Sequence, residues 1–458
     1  KAEGTIDLGT VTVTNSGAGD WKVNETKQVQ YLTGDGLAGS TLTVNNSVKV
    51  TSDGYKYELG QAHETAGDKG TGTKYGYIDI YKDNGYQLGQ IVTNFIDAAA
   101  GNYETGKVDT YTLVADYDAS KDTAGGQYAA VTDLGTLTRV STGTGTPRTL
   151  AITGGNSGGE NFKYTGGGVK GITVTNGDTL NLSEIGEISG WQEYAVNNTG
   201  GTVNIVTGGT DKTVLKSKLN GEGEYNNKGG ILSVEDAANL AMKILNNSGT
   251  LGLGGVTESE LKAEISGGKV SITGIIRAEA DKINRVEYLN TATGATLTLT
   301  SGTLGKEIEN GGTVKFGGAG EMGAAVTGGT LEFAAGTVKV TDAAHIGGNK
   351  NTVDSGAAIE LTSGTLGKTI ENAGTVKLNG ATMDGANVTA GTLEFAAANL
   401  GINANYVAAA ANKVDSGATL TLTSGTLGKG IENDGTVKFD GAGEMGAAVT
   451  GGTLEFAA

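Results

Sequence analysis

The sequence has 458 residues, with 80 glycines, one proline, no cysteine and a formal net charge of −17. This composition excludes collagen, which needs far more proline, and it excludes disulfides and thiol chemistry. An acidic chain of this kind repels nucleic-acid phosphates, so we expect no nucleic-acid partner. No apolar run reaches the ~18 residues of a membrane-spanning helix, so no such segment is predicted in this chain. Aromatic residues make up only 5% of the chain, which favours a narrow core of small and branched side chains.

Residues 1–150 form a first region, which we interpret either as a separate β-rich head or as irregular first coils of the fold that follows. Eleven of the 16 tyrosines lie in its first 128 residues. Residues 75–81 alternate like a strand, and Asp83-Asn84-Gly85 is a turn signal. Tyrosines commonly pack between strands, but exposed tyrosines also form recognition surfaces, and both interpretations stay open here.

Residues 151–294 are predicted to form an irregular β-solenoid with helical insertions. Short apolar strands recur at uneven spacing through this region. Residues 233–246 break that pattern, because Ala237, Leu240, Ala241 and Ile244 make a helical stripe. A second short helix is predicted over residues 257–265. We expect these helices to cover one face of the solenoid, and the alternative is that they dock a partner.

Residues 295–458 contain a long internal repeat. Residues 301–335 return at 424–458 with three differences in 35 positions, and a more diverged copy occupies 363–397, so the period is 62 and then 61. Short strands recur 17 residues apart within each copy, and the step between copies is 28 or 27. We therefore predict a parallel β-solenoid with three coils per repeat, the third carrying about ten extra residues. One buried column should contain the first apolar residue of each strand: Leu297, Val314, Leu331, Ile359, Val376, Leu393, Leu420, Val437 and Leu454.

Alternation along each strand sends its middle residue outward. Stacking the coils at this spacing predicts ion pairs between neighbouring coils, and these pairs would fix the register of the stack. The predicted pairs are Lys315 with Glu332, Lys377 with Glu394, and Lys438 with Glu455. A stacked antiparallel sandwich is the alternative, but coils of 17 residues leave little room for hairpins.

Catalytic and metal-binding patterns are sparse. His63 and His345 stand apart without partners at metal-ligand spacing, so we interpret both as solvated loop residues. Calcium is the one cofactor considered, at Asp116, Asp118 and Asp122, although the full calcium-loop pattern is missing. A glutamate recurs in each Ile-Glu-Asn motif, at positions 309, 371 and 432. Recurrence in three copies favours a structural role, so we predict no catalytic residues and no cofactor.

The phrase Ile308-Glu-Asn-Gly-Gly-Thr-Val and its counterparts from Ile370 and Ile431 resemble the strand repeats of autotransporter passengers and of filamentous-haemagglutinin-like bacterial surface proteins. The resemblance is good over 295–458, loose over 150–295 and slight before that. It implies a right-handed parallel β-helix, extracellular display at the bacterial cell surface, a role in adhesion or biofilm formation, and no cofactor.

Together these observations predict a secreted, non-enzymatic structural or adhesive protein that forms a rod or fibre and binds a host or bacterial ligand that the sequence does not identify. A β-helix carbohydrate-active enzyme, either a polysaccharide lyase or a tailspike-like hydrolase, is the alternative. Residues 286–458 contain no arginine, whereas such enzymes place arginines in their substrate groove. The strand-like segments near Thr5 and Phe456 predict head-to-tail association into a homo-oligomer or filament. Continuation of the same repeats in a longer chain is the alternative.

Overall fold

A computed structural model describes residues 3–14, 26–35, 41–51, 56–59, 63–65, 73–83, 108–113, 116–121, 134, 136–137, 149–155, 161–208 and 211–457. Within this part of the chain almost all regular structure is β-strand. The helices are five single 3-10 turns: Ala119–Lys121, Ala237–Asn239, Ala280–Lys282, Ala343–His345 and Ala404–Tyr406.

The first region contains six strands: β1 Glu3–Thr14, β2 Thr26–Asp35, β3 Thr41–Thr51, β4 Lys56–Leu59, β5 His63–Thr65 and β6 Thr73–Asp83. β1 pairs with β3 in parallel, whereas β2, β4 and β5 all pair with β6 in antiparallel register. The strand predicted over 75–81 lies within β6. The tyrosine side chains of this region, on which the choice between a head and early coils depends, lie outside the described residues up to position 111.

The strands of the second region are β7 Val108–Thr112, β8 Tyr117–Asp118, β9 Thr136–Leu137, β10 Thr149–Thr153, β11 Lys163–Thr165, β12 Ile172–Val174, β13 Thr179–Ser183, β14 Glu187–Ser189, β15 Val196–Asn198, β16 Thr202–Val206, β17 Lys212–Leu215, β18 Leu219–Gly221, β19 Glu224–Lys228, β20 Ile231–Val234, β21 Leu240–Met242, β22 Ile244–Asn247, β23 Thr250–Leu253, β24 Ser259–Glu260, β25 Glu264–Ser266, β26 Lys269–Ile272, β27 Ile275–Ala278 and β28 Tyr288–Thr291.

The strands of the repeat region are β29 Thr296–Leu299, β30 Thr303–Leu304, β31 Ile308–Asn310, β32 Thr313–Phe316, β33 Gly320–Met322, β34 Val326–Thr327, β35 Thr330–Phe333, β36 Thr337–Val340, β37 Ile346–Gly347, β38 Lys350–Val353, β39 Ala358–Leu361, β40 Thr365–Leu366, β41 Ile370–Asn372, β42 Thr375–Leu378, β43 Thr382–Met383, β44 Val388–Thr389, β45 Thr392–Phe395, β46 Leu400–Asn403, β47 Ala411–Val414, β48 Thr419–Leu427, β49 Ile431–Asn433, β50 Thr436–Met445, β51 Val449–Thr450 and β52 Thr453–Ala457.

From β7 onward the chain winds as a three-sided solenoid in which each strand pairs in parallel with the strand of the next coil. The first face contains β7, β10, β13, β16, β19, β22 and β25, and further along it β30, β33, β36, β39, β42, β45, β47, β49 and β51. The second face runs from β8 through β11, β14 and their successors to β37, then through β40 and β43 to β46, β48, β50 and β52, with β43 packed beside β46. The third face runs from β9 to β21 and from β24 to β44.

Alternation builds the core. In β29, β32 and β35 the residues are intermediate, buried, intermediate and buried in turn, so two apolar side chains per strand enter the interior. The spacing between coils is about 19 residues overall, and it is 17 in the steps from Leu297 to Val314 to Leu331. The predicted parallel β-solenoid is therefore confirmed, and the antiparallel sandwich is excluded for these repeats.

The number of coils in the long repeat differs from the prediction. β29 to β38 make up ten strands, and three strands complete one coil, so each repeat contains three and a third coils rather than three. The 28-residue step from Leu331 to Ile359 is one coil of 20 residues, from Leu331 to Asn351, followed by one side of eight. The expected ten-residue insertion is therefore an additional strand, β38, which the polar Asn351 concealed.

Because each repeat ends one face further on, the nine predicted residues do not form one column. Their register relations give three separate columns of three. These are Leu297, Val314 and Leu331 on the third face, Ile359, Val376 and Leu393 on the first, and Leu420, Val437 and Leu454 on the second. Eight of them are fully buried, whereas Leu454 is 36% exposed.

The predicted helical insertions are also wrong. Residues 233–246 contain one 3-10 turn, Ala237–Asn239, between β20 and β21. Asp236 caps this turn by accepting a hydrogen bond from Ala238 N at 2.9 Å. Residues 257–265 contain β24 and the start of β25. The helical spacing of Leu240 and Ile244 arose because successive sides of a coil place buried residues a few positions apart around each corner.

Candidate functional site

The predicted cross-coil pairs lie on outward positions of the repeat region. Lys315 Nζ lies 2.6 Å from Glu332 Oε1, and Lys377 Nζ lies 3.7 Å from Glu394 Oε2. Lys438 is the register partner of Glu455 on the neighbouring strand. The sequence did not identify a further acid, Asp415, whose Oδ2 lies 2.8 Å from Lys377 Nζ. Carboxylates on consecutive coils thus share one lysine.

The equivalent acid in the first repeat is Asp354. Partial burial raises the pKa of its carboxyl above the usual range, and the neighbouring Glu332 carboxylate raises it further, against the opposing effect of Lys315. The ammonium of Lys315 has a raised pKa because it donates a hydrogen bond to Glu332. Lys315, Glu332 and Asp354 therefore form one coupled cluster on the third face.

The histidines and the aspartates considered for metal binding lie in different surroundings. His63 lies in β5, and His345 ends a 3-10 turn with Nδ1 3.5 Å from the carbonyl oxygen of Met322. Asp116 Oδ1 accepts a hydrogen bond from Lys163 N at 3.0 Å, and Asp118 Oδ1 accepts one from Ser120 Oγ at 2.7 Å. Asp122 lies outside the described residues. Among the residues that the structure describes, no three acidic or histidine side chains gather into a metal-ion cluster.

Each Ile-Glu-Asn motif has a structural part and an exposed part. Ile308 and Asn310 are buried. Asn310 Nδ2 donates to the carbonyl of Thr330 on the next coil at 2.8 Å, and its Oδ1 accepts from Gly312 N at 3.0 Å. Asn372 and Asn433 repeat these contacts with their own neighbours. Isoleucine and asparagine therefore build the corner, whereas the glutamate between them points to solvent.

A cleft of about 600 Å³ lies on the second face beside the first of these glutamates. Its lining comes from β28, β31 and the corners next to them: Tyr288, Asn290, Thr291, Ala292, Thr293, Glu307, Glu309, Asn310, Gly311, Thr327 and Gly328. The Tyr288 hydroxyl donates to Glu309 Oε2 at 2.5 Å, and this bond raises the pKa of the tyrosine. The lining residues include two exposed carboxylates and no lysine or arginine.

The internal repeats contain a signal for this cleft. Only three positions differ between residues 301–335 and 424–458, namely Glu307 for Gly430, Gly311 for Asp434 and Gly317 for Asp440. Two of these three, Glu307 and Gly311, line the cleft. The differences between otherwise matching copies therefore concentrate at one place on the surface. Comparing the copies for their differences rather than their shared residues would have located it.

Comparisons with known proteins do not identify a family. No family model, curated protein or solved structure matches this chain. Among the described residues, no helix combines the length and the apolar character needed to cross a membrane.

Proposed function

We propose that this protein is a non-enzymatic structural or adhesive rod, secreted and displayed at a bacterial cell surface. The observation that carries the proposal is the core. Apolar side chains are buried in coil after coil along all three faces, from Leu150 to Phe439. A parallel stack of this kind is an elongated scaffold, in which only the outward positions are available to a partner.

The outward positions support the same proposal. They carry lysines and carboxylates that pair between coils, as in Lys216 with Glu187 and Glu235 at 3.1 and 3.3 Å. Such exposed pairs contribute little stability, about 0–1 kcal/mol each, but a slipped register would lose them together. A net charge of −17 keeps such a rod hydrated and resistant to nonspecific association. The motif resemblance to bacterial surface proteins supports the extracellular location.

Surface display of the chain tests this proposal. A non-adherent bacterium that carries the chain on its outer surface should retain protease-accessible protein and adhere more strongly to host cells or to its own kind than the vehicle strain. A strain displaying a solenoid of similar length and charge but unrelated sequence is the matched control. Equal adhesion of the two displayed solenoids would contradict the adhesive role and leave only a structural one.

A carbohydrate-active enzyme is the second candidate, and the cleft favours it. Glu307 and Glu309 are both exposed at its edge, two positions apart on an extended segment. This spacing corresponds to ~6–7 Å along a strand, which overlaps the separation of the two carboxyl groups in inverting glycosidases. Turnover of a polysaccharide that disappears in Glu309→Gln, but persists in Glu432→Gln, would establish the enzyme. Absence of turnover across acidic, neutral and amino polysaccharides would leave the rod as the function.

We also propose that copies associate end to end through the coil that contains β50 to β52. Leu454 and Phe456 are 36% and 64% exposed, whereas their counterparts Leu331 and Phe333 are covered by β38 and fully buried. This coil therefore presents the surface that another coil covers elsewhere. Sedimentation of the 458-residue chain should show assemblies that grow with concentration, and Phe456→Glu should abolish them. A concentration-independent monomer would contradict end-to-end association.

A further inference from the structure

The surface equivalent to the cleft is filled by a lysine in both other copies of the repeat. In the second copy Lys350 stands in place of Tyr288, and its Nζ lies 3.3 Å from Glu371, the counterpart of Glu309. In the third copy Lys413 stands in place of Asn290, and its Nζ lies 3.8 Å from Asp434, the counterpart of Gly311. Two different strand positions thus deliver an ammonium group to the same part of the repeat.

The first copy retains the carboxylates but lacks the lysine. Its strand carries Tyr288 and Asn290 at the two positions that supply lysine elsewhere, and Glu307 adds a carboxylate where the other copies have Thr369 and Gly430. Lys269 and Lys306 are the nearest cations by register and sequence, and neither lines the cleft. The cleft is therefore a lysine site of the repeat from which the chain's own lysine is missing.

A buried hydroxyl adds an independent sign of a ligand. Thr291 also lines the cleft and is only 1% exposed, and its Oγ1 has no hydrogen-bond partner in the described structure. The other copies carry Val353 and Val414 at this position. Burying a hydroxyl without a partner costs free energy, so a polar residue here is costly unless something bonds to it.

We propose that this cleft binds the side-chain ammonium group of a lysine presented by a partner protein. Glu309 and Glu307 supply the negative charge, as Glu371 does for Lys350. The hydrogen bond from Tyr288 orients the Glu309 carboxylate, and the tyrosine ring offers an apolar surface to the lysine stem and an electron-rich face to its ammonium. The proposal names a partner chemistry for the adhesive role and rests on that role only for its biological setting.

The structure favours lysine over other cations for a physical reason. The ammonium in the second and third copies arrives on a four-carbon stem that lies along the surface of the coil. The lining contains the aromatic ring of Tyr288 and the methyl group of Ala292, which suit an aliphatic stem better than a hydrated metal ion. An amino sugar offers the same charge without the stem, so it is the discriminating competitor.

Ligand-observed NMR on the full chain tests the proposal, with Nα-acetyl-lysine amide as the probe. Nα-acetyl-norleucine amide, glucosamine and calcium chloride serve as separate competitors that lack the charge, the stem and the organic group. We expect saturation transfer to the lysine side-chain protons. Only unlabelled lysine amide should displace the probe efficiently, and added salt should weaken binding. Stronger displacement by glucosamine or by calcium would overturn the assignment of a lysine side chain.

Two variants make the test specific. Tyr288→Lys installs the lysine of the second copy, so the cleft should be filled from within and probe affinity should fall at least ~10-fold, as expected for loss of a charged hydrogen-bonding site. Glu371→Gln removes the equivalent carboxylate of the second copy and should leave probe binding unchanged. Unchanged binding in Tyr288→Lys, or an equal loss in Glu371→Gln, would overturn the site.

The outcome is separable from the fate of the proposed function. Tyr288→Lys copies a residue that the same fold already accepts, so its circular dichroism and its rod dimensions in electron micrographs should match those of the parent. Loss of probe binding with intact rods supports the site. Adhesion that persists in this variant would place the adhesive surface elsewhere, without bearing on whether the cleft binds lysine.

Discussion

Leu297 and Ile359 are equivalent residues of successive repeats, 62 positions apart, and they are buried on different faces of the solenoid. The shift arises because each repeat has ten strands and each coil uses three. With a spacing of about 4.8 Å between strands, one repeat advances ~16 Å along the axis and turns by a third of a revolution. Equivalent surface features therefore follow a helical path around the rod.

The repeat offers a matched comparison of one leucine in two environments. Leu331→Ala should lower the free energy of unfolding by about 2–5 kcal/mol, because Leu331 is fully buried between two coils. Leu454→Ala should cost clearly less, because that leucine is 36% exposed. Urea denaturation followed by circular dichroism measures both. Equal losses would show that the coil containing β52 is covered in solution.

The corner asparagines should stabilise the repeat more than exposed asparagines do. Asn372→Ala removes the bond to the Thr392 carbonyl at 2.9 Å and leaves Gly374 N without its acceptor at 3.0 Å. Loss of buried hydrogen bonds of this kind costs about 1–3 kcal/mol. The exposed Asn387 in the same repeat is the control, and Asn387→Ala should change stability by less than ~0.5 kcal/mol. A similar effect of both changes on the urea midpoint would refute the structural role of the corner.

The Lys315, Glu332 and Asp354 cluster predicts a pH dependence. Burial and Glu332 raise the pKa of Asp354 above its unfolded value. The folded state then holds this proton more tightly, so the stability that Asp354 contributes is present at pH below its unfolded pKa and is lost as pH rises through the folded value. Asp354→Asn should therefore gain stability relative to the parent as pH rises from about 3 to about 6.

The exposed Asp384 provides the control for this effect. The parent, Asp354→Asn and Asp384→Asn would be unfolded in urea at each pH. The stability difference between the parent and Asp354→Asn should drift with pH in the stated direction, whereas Asp384→Asn should track the parent. A drift of the opposite sign would mean that Lys315 dominates the environment of Asp354.

The sequence was sufficient for the fold class because alternation and repetition are local signals. Val314-Lys315-Phe316 shows which side chains enter the core, and the 17-residue recurrence shows that coils stack. The same signals could not reveal β38 and β47. Asn351 and Asn412 occupy inward positions in those strands, where a search for apolar alternation finds no strand. Their amides are accommodated by bonds to the carbonyls of Gly348 and Ala409 at 3.1 and 3.3 Å.

The cleft was beyond the sequence for a related reason. Tyr288 meets Glu309 only because Asn290 and Glu309 are register partners, 19 residues apart. The regular 17-residue spacing does not place these residues together. The outward lysine and glutamate pairs lay within strands of regular spacing, so their positions followed from the sequence, whereas Asp415 lies one irregular coil further on.

Paired cysteines test the arrangement of the faces directly, since the chain has no cysteine of its own. In the structure Glu332 neighbours Thr352 on the next coil, and Glu360 neighbours Lys339 on another face. Parallel neighbours lie ~4.8 Å apart, within the range of a disulfide. The double variant Glu332→Cys with Thr352→Cys should therefore oxidise to an intramolecular disulfide, seen as a mobility shift that reductant reverses. Glu332→Cys with Glu360→Cys should remain reduced, because those positions lie on different faces. A disulfide in the second pair and none in the first would mean that each repeat has three coils, with all equivalent residues on one face.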